Sequence, residues 1–258
     1  MIYDVEQHLN MLSPDEVKLL SFVGRGGSGK DTQLDLVLPY FPNPKSESTG
    51  TIIEESKNPD SYYGKMFYDT LAPYFADKDR GIILPDPLMV DIVRRIIKER
   101  SGIGTQLKNG AKPVQTYGFP GFPRTIGQDN SLDQELTPFL TNAGYSVRRE
   151  MFYLDLPAEI SFERAAKRLE TALAEGRTPR RDDQKEVVAR RNKEFDTITM
   201  KLVEKKLAEG TIHKIDANDT IGSIHEQIKQ ILGVGQERFV SNSRFHSKDT
   251  GMVIRGSY

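Results

Sequence analysis

Two spacings of apolar residues alternate along the chain. A mostly apolar run at residues 19–23 suits a buried strand, as do the short segments 114–119, 150–156 and 211–216, and a polar run at 45–50 allows at most a brief strand ending in a turn. Between these runs the spacing becomes helical. Leu34, Leu36, Val37 and Leu38 begin an amphipathic run, and Leu88, Val90, Ile92, Val93, Ile96 and Ile97 make an apolar helix face. Residues 158–172 place Phe162, Ala165, Ala166 and Leu169 on an inward stripe, with Arg164 and Arg168 side by side on its flank. A longer helix that starts at Arg180-Arg181-Asp182-Asp183 turns Val188, Phe195, Ile198 and Leu202 inward, and Arg191 falls on the same stripe. Strands alternating with helices predict an α/β fold: a five-stranded parallel sheet covered on both faces, with ligands collecting at the carboxyl ends of the strands.

The remaining segments are punctuation. Ser13-Pro14-Asp15-Glu16 reads as a helix start within an extension over 1–18. Residues 51–100 are helical in pieces, broken at Asn58-Pro59-Asp60 and at 81–86, and predict a small helical insert between two strands. The glycines and prolines of 118–125 predict a rigid loop with Arg124 at its tip. Residues 233–258, rich in Gly, Ser and mixed charge, predict a flexible tail.

The candidate chemistry centres on the first strand-to-helix turn. Gly24, four spacers, Gly29 and Lys30 form a phosphate loop up to its last position. Glycines let successive backbone N–H groups converge on an anion, while the following helix points its positive end at the same spot. Lys30 adds a point charge. Asp31 stands where most such loops carry a hydroxyl, which comes one residue later as Thr32. An inward arginine such as Arg191 needs a buried partner, and a salt bridge with Asp182 or Asp183, or snorkelling along the helix, would each serve. Five arginines, at 124, 164, 168, 180 and 191, are expected around this one loop.

Composition narrows the chemistry further. The chain has 258 residues, enough for one nucleotide-binding domain with insertions, and its 36 basic and 37 acidic side chains leave a net charge of -1. That balance does not mark a nucleic-acid or membrane binder, so any electrostatic work must be local. The absence of cysteine excludes disulfides and thiolate metal sites, and the 4 histidines are scattered. No apolar stretch approaches the ~18 residues of a membrane span, and no leader pattern precedes the first strand, which predicts a cytoplasmic protein.

Four ordered segments between residues 19 and 232 resemble the adenylate kinases and related nucleoside monophosphate kinases. The family loop reads Gly-x-Pro-Gly-Ser/Ala-Gly-Lys-Gly-Thr-Gln, and residues 24–33 follow it except at Arg25-Gly26 and Asp31. Ser48-Thr49-Gly50 looks like the turn that opens the acceptor insert, and Gly121-Phe-Pro-Arg-Thr125 with Gln128 looks like the loop whose arginine holds the acceptor phosphate and whose glutamine reads adenine. Arg164 and Arg168 match two arginines beside the donor, and Arg180 and Arg191 match the pair that closes on the phosphates.

The resemblance implies transfer of the ATP γ-phosphate to AMP, with Mg2+ held largely through water and phosphates and with Thr32 nearby, in a monomer whose partners are nucleotides. It assigns Gly26, Gly27, Ser28, Gly29, Lys30, Asp31, Thr32, Arg164 and Arg168 to ATP. It assigns Thr49, Leu84, Gly121, Arg124, Gln128, Arg180 and Arg191 to the acceptor nucleotide. Lys30, Arg124, Arg168, Arg180 and Arg191 would stabilise the transferring group. The domain is expected over 19–232, with an acceptor insert at about 49–90 and a short lid at about 169–183.

Three departures from the family pattern bear on function. Glu54 stands where an acceptor-phosphate arginine is expected, and the carboxylates expected at Thr51 and Pro120, which organise water around Mg2+, are missing. Asp31 is a candidate replacement for a lost carboxylate, and Lys57 or Lys65 for the lost arginine. A UMP, CMP or deoxynucleotide acceptor, or a nucleotide-binding protein with impaired catalysis, stays open at this point.

Overall fold

A computed structural model describes residues 16–76, 83–102 and 113–235. Five strands, β1 (Glu16–Val23), β2 (Pro44–Ser46), β3 (Thr116–Pro120), β4 (Ser146–Asp155) and β5 (His213–Asp216), form one parallel sheet in the order β2-β3-β1-β4-β5. β1 lies at the centre, and the chain crosses to opposite sides of it, so the loops after β1 and β3 meet at a topological switch point. The Gly121 N–H donates to Phe22 O at 2.7 Å and ties the two loops together.

The sheet alternates as a two-faced layer should. Val17 and Leu19 pack with Tyr117 and Phe119 under α2 (Thr49–Ser56), α3 (Tyr62–Leu71) and α4 (Asp86–Ser101), which contribute Ile52, Phe67, Ile92 and Ile96. Leu20 and Phe22 face the other way, with Phe152, Leu154 and Ile215, against Leu34 and Val37 of α1 (Lys30–Val37) and against Ile224 and Ile228 of the last helix, Ile221–Leu232. These layers establish the predicted α/β fold, with its helical insert between β2 and β3.

Several boundaries differ from expectation. β1 begins at Glu16, so the residues read as a helix start run into a strand, and residues 13–15 lie outside the described residues. The polar start of β1 is tolerated because Lys18, 1 % exposed, lays its stem inside the fold with Nζ 4.5 Å from the Phe41 ring centroid. β4 starts at Ser146, because its first residues sit half-exposed at the sheet's amino end and carry no apolar signature. At the other end Val234 is buried against the second core, while 236–258 of the expected tail lie outside the described residues.

Beyond β3 the chain forms α5 (Ile126–Ser131), a π turn and α6 (Thr137–Asn142) before β4. α7 (Ala158–Ala174) corrects the predicted stripe: Ser161, Ala165 and Ala172 are buried, Ala166 is exposed, and Phe162 and Leu169 are half-buried. The helix turns a polar face to the phosphate loop, with Ser161 Oγ donating to Gly26 O at 2.8 Å. α7 also runs to Ala174, so the segment joining it to α8 (Lys185–Glu194) is 175–184, narrower than the lid expected from 169.

A π turn over Phe195–Thr199 joins α8 to α9 (Met200–Glu209), and α10 (Ile221–Leu232) closes the domain. That wider turn is why Thr199, rather than the expected Ile198, continues the buried stripe from Phe195 to Leu202.

Candidate active site

The loop after β1 wraps around the ammonium of its own lysine. Lys30 Nζ donates to Gly24 O and Arg25 O, both at 2.8 Å. Gly24, Gly27 and Gly29 have φ of 154°, 82° and 87°, which a β-carbon would strain. A Cβ on Gly24 would also stand 2.6 Å from Leu154 O, so the loop can lie this close to β4 only with glycine there. Gly29 is the N-cap of α1 and supplies no side-chain cap, so the N–H groups of the first turn are left for a ligand.

This loop forms the floor of a cavity of about 1010 Å³. Gly26, Gly27, Ser28, Gly29, Lys30, Asp31 and Thr32 all line it, and so do Arg124, Arg164, Arg168, Arg180 and Arg191. The five arginines thus come together from four separate segments. Arg164 reaches from α7 to Gly27 O (2.8 Å) and Ala217 O (3.0 Å), linking the loop to the turn after β5. Arg168 is paired with Asp183 at 2.6 Å and Arg191 with Asp182 at 2.7 Å, the intramolecular partners that the sequence left open. Arg180 is exposed at the cavity rim.

Electrostatics mark the same convergence. Burial pulls the Lys30 ammonium down to about 8; Asp31 opposes the shift, and the positive charges of Arg124, Arg191 and Arg168 add to it. Burial and then Arg191 likewise lower Arg124. Cations packed until they disfavour one another call for an anion. The one resolved counter-trend is Glu194, raised by burial despite Arg124 and Arg191. It shares a 90 Å³ recess with Lys30, Arg124 and Arg191. Sequence reading missed Glu194, although its place three residues after Arg191 puts both on one helix face.

The acceptor candidates lie beside this cavity. Thr49, Leu84, Gly121, Arg124 and Gln128 line a narrow space of about 30 Å³, closed by Ile53, Met89 and Phe122. Gln128 is 1 % exposed, and both ends of its amide are engaged. Its Oε1 accepts from the Arg124 N–H at 2.8 Å, and its Nε2 donates to Asp86 Oδ1 at 3.0 Å. Thr125 Oγ1 donates to the other oxygen of Asp86 at 2.7 Å. Asp86, at the start of α4, was not singled out from sequence, since a first-turn carboxylate reads as a helix-dipole partner.

The departures now have places. Glu54 lies on the exposed side of α2 and pairs with Lys57 at 2.9 Å, so it does not occupy the acceptor pocket. Thr51, Pro120 and Asp31 all line the large cavity. Among the described residues no group of three or more His, Cys, Asp or Glu could cage a metal ion. Asp31 with Thr32 does suit Mg2+, which takes one or two carboxylates and leaves its other positions to water and phosphates.

A phosphate loop at the switch point of a parallel sheet, ringed by arginines, defines a phosphotransferase of the phosphate-loop class. No protein-family model matches the chain. Curated relatives do: adenylate kinase of Deinococcus deserti is 26% identical over 221 residues, covering 86% of this chain and 98% of that protein. Adenylate kinase of Parvibaculum lavamentivorans is 28% identical over 232 residues (89% and 98%), and that of Leptospira biflexa 29% over 217 residues (84% and 98%). The chain is thus similar to adenylate kinases over most of its length and over nearly all of theirs. No described helix is long and apolar enough to cross a membrane.

Proposed function

We propose that the protein is a nucleoside monophosphate kinase that moves the γ-phosphate of ATP to AMP, reversibly. The observation that carries this reading is the convergence of Lys30 and five arginines on one cavity beside Gln128. Phosphoryl transfer asks little covalent chemistry of a protein; it needs in-line positioning and cations over the equatorial oxygens.

In this reading the loop N–H groups and Lys30 hold the donor phosphates, with Arg164 and Arg168 against the nucleotide. Arg124 and Arg191 face the phosphoryl group in flight, and Arg180 closes from the rim. The Asp182 and Asp183 carboxylates occupy Arg191 and Arg168 until phosphate replaces them, which keeps the cations folded but available. Asp31 and Thr32 would hold Mg2+, which would supply positive charge to the phosphates. The segment 49–90 serves as the acceptor insert and 175–184 as a short lid that excludes water. Gln128 favours AMP through the amide N–H and lone pair that its two partners leave free.

A coupled assay with ATP-Mg2+ against AMP, GMP, UMP, CMP and dAMP tests the reading. ADP formation with AMP as the best acceptor is expected; nucleotide binding without turnover would instead identify a binding protein. An Asp31→Gly variant should need more Mg2+ for half-maximal rate, and an unchanged Mg2+ dependence removes Asp31 from the metal site.

A further inference from the structure

Arg25 occupies the loop position after Gly24; it does not line the large cavity but borders the 90 Å³ recess beside Glu194. Nε donates to Leu156 O at 3.1 Å and Nη1 to Asn192 O at 3.2 Å, while Nη2 pairs with Asp196. The guanidinium lies 4.8 Å from the Phe195 ring centroid, and the side chain is only 13 % exposed. Four partners on one side chain make a rigid clamp, and the planar fork of arginine suits several acceptors at once.

The clamp sits at a register break. The Phe195 N–H is shared between Arg191 O and Asn192 O, and the π turn begins at that residue. Arg25 donates to the same Asn192 carbonyl. Breaks of this kind recur at functional sites. The residue before Asn192 is Arg191. On the opposite side, the backbone carbonyl of Arg25 is one of the two that hold the Lys30 ammonium. A single residue therefore touches both the loop lysine and the helical turn that carries Arg191.

We infer that Arg25 is a positioning residue for phosphoryl transfer: by clamping Asn192 O and Asp196 it fixes the spacing between Lys30 and Arg191. This rests on the reading of Arg191 as a phosphate-gripping cation. The loop would bind triphosphate without the clamp, but Arg191 would meet the transferring group off-axis, and misplacement by about 1 Å is enough to cost about 10²-fold in rate. Arg25 does not contact substrate; it acts through its partners.

The test is a double-mutant cycle in the full chain with Arg25→Met, Arg191→Met and the pair, together with Asp196→Asn and Arg25→Lys. Thermal unfolding, kcat and KM, and ATP affinity by calorimetry are measured on each. Arg25→Met should lower kcat by about 10²-fold with a smaller change in the KM for ATP. The double variant should be no slower than Arg191→Met alone, within about twofold.

Asp196 is half-exposed, so Asp196→Asn folds and should show a weaker loss in the same direction. Arg25→Lys, which cannot fork between partners, should recover only part of the rate. Multiplying losses in the double variant, or a lowered melting temperature with kcat intact, would overturn the inference. Absence of turnover in the unmutated chain would count against the transferase reading itself. A calorimetric cycle with a bisubstrate polyphosphate, which spans both nucleotide sites and reaches Arg191, then judges Arg25 independently: non-additive losses of affinity support the coupling, and additive ones reject it.

Discussion

The two halves of the site are built on opposite plans. On the donor side a cavity of about 1010 Å³ stands open over the phosphate loop, and its cations are held by exchangeable carboxylates. On the proposed acceptor side the space is only about 30 Å³, and Gln128 is pinned between Arg124 and Asp86. Among the described residues this space is too narrow for a nucleobase as it stands. In the proposed reading, donor binding draws on a preformed site, whereas acceptor binding calls for motion of α2 and α4 against the β3 loop. The contrast extends to their anchoring. The insert is tied to the sheet edge by Glu47, fully buried, which pairs with Arg100 and accepts from Tyr63 Oη at 2.7 Å. The donor side is tied by polar contacts to the loop backbone.

Substitutions on each side should separate the two plans. The largest effect belongs to the shared cation: Arg191→Met should lower kcat by about 10³–10⁵-fold, as removal of an arginine finger does, while the folded state survives. Steady-state kinetics alongside circular dichroism would check this; a loss below tenfold would detach Arg191 from the transferring group. Next comes the acceptor anchor. Arg100→Ala leaves Glu47 buried without its charged partner and should cost about 3–5 kcal/mol in urea unfolding.

Smaller effects sharpen the contrast. Gln128→Leu leaves the Arg124 N–H and Asp86 short of partners, which should cost about 1–3 kcal/mol and narrow the preference for AMP over other monophosphates, with ATP affinity held. Protonation distinguishes the donor side. Lys30 is lowered to about 8 in the folded chain, so above that pH the folded protein holds fewer protons than the unfolded one, and ligand-free stability rises with pH. A bound polyphosphate restores the charged form. ATP binding should therefore take up a proton above about pH 8 and weaken as pH rises, and calorimetry in buffers of different ionisation enthalpy would read the uptake. The smallest effect is expected from Glu54→Arg. Its side chain is solvent-facing, so stability should stay within about 0.5 kcal/mol and the acceptor KM should not change. A lowered KM would bring that face of α2 back to the acceptor phosphate.

Much of the phosphate-loop half could be read directly from the sequence. A buried strand, the glycine spacing and Lys30 are contiguous, and local chain geometry alone dictates what they form. The same holds for the insert's helical pieces and for the apolar face of α4. Residues 161–165 were harder, because an apolar period says which face is inward only when the inward face is apolar. α7 instead directs Ser161 and Arg164 at the loop, so its stripe was misassigned.

What the sequence by itself determined is the phosphate loop, the alternation that demands a parallel α/β sheet and the supply of arginines in its loops and helices. Tertiary structure decided what each charge meets. Glu54 turned outward to Lys57, Asp182 and Asp183 took up two arginines, and Asp86 locked the amide of Gln128. Arg25 found partners 131 to 171 residues away. Local periodicity is a property of neighbours along the chain, whereas a charge pairs with whatever the folded topology brings within a few ångströms, and a one-dimensional pattern carries no record of that distance.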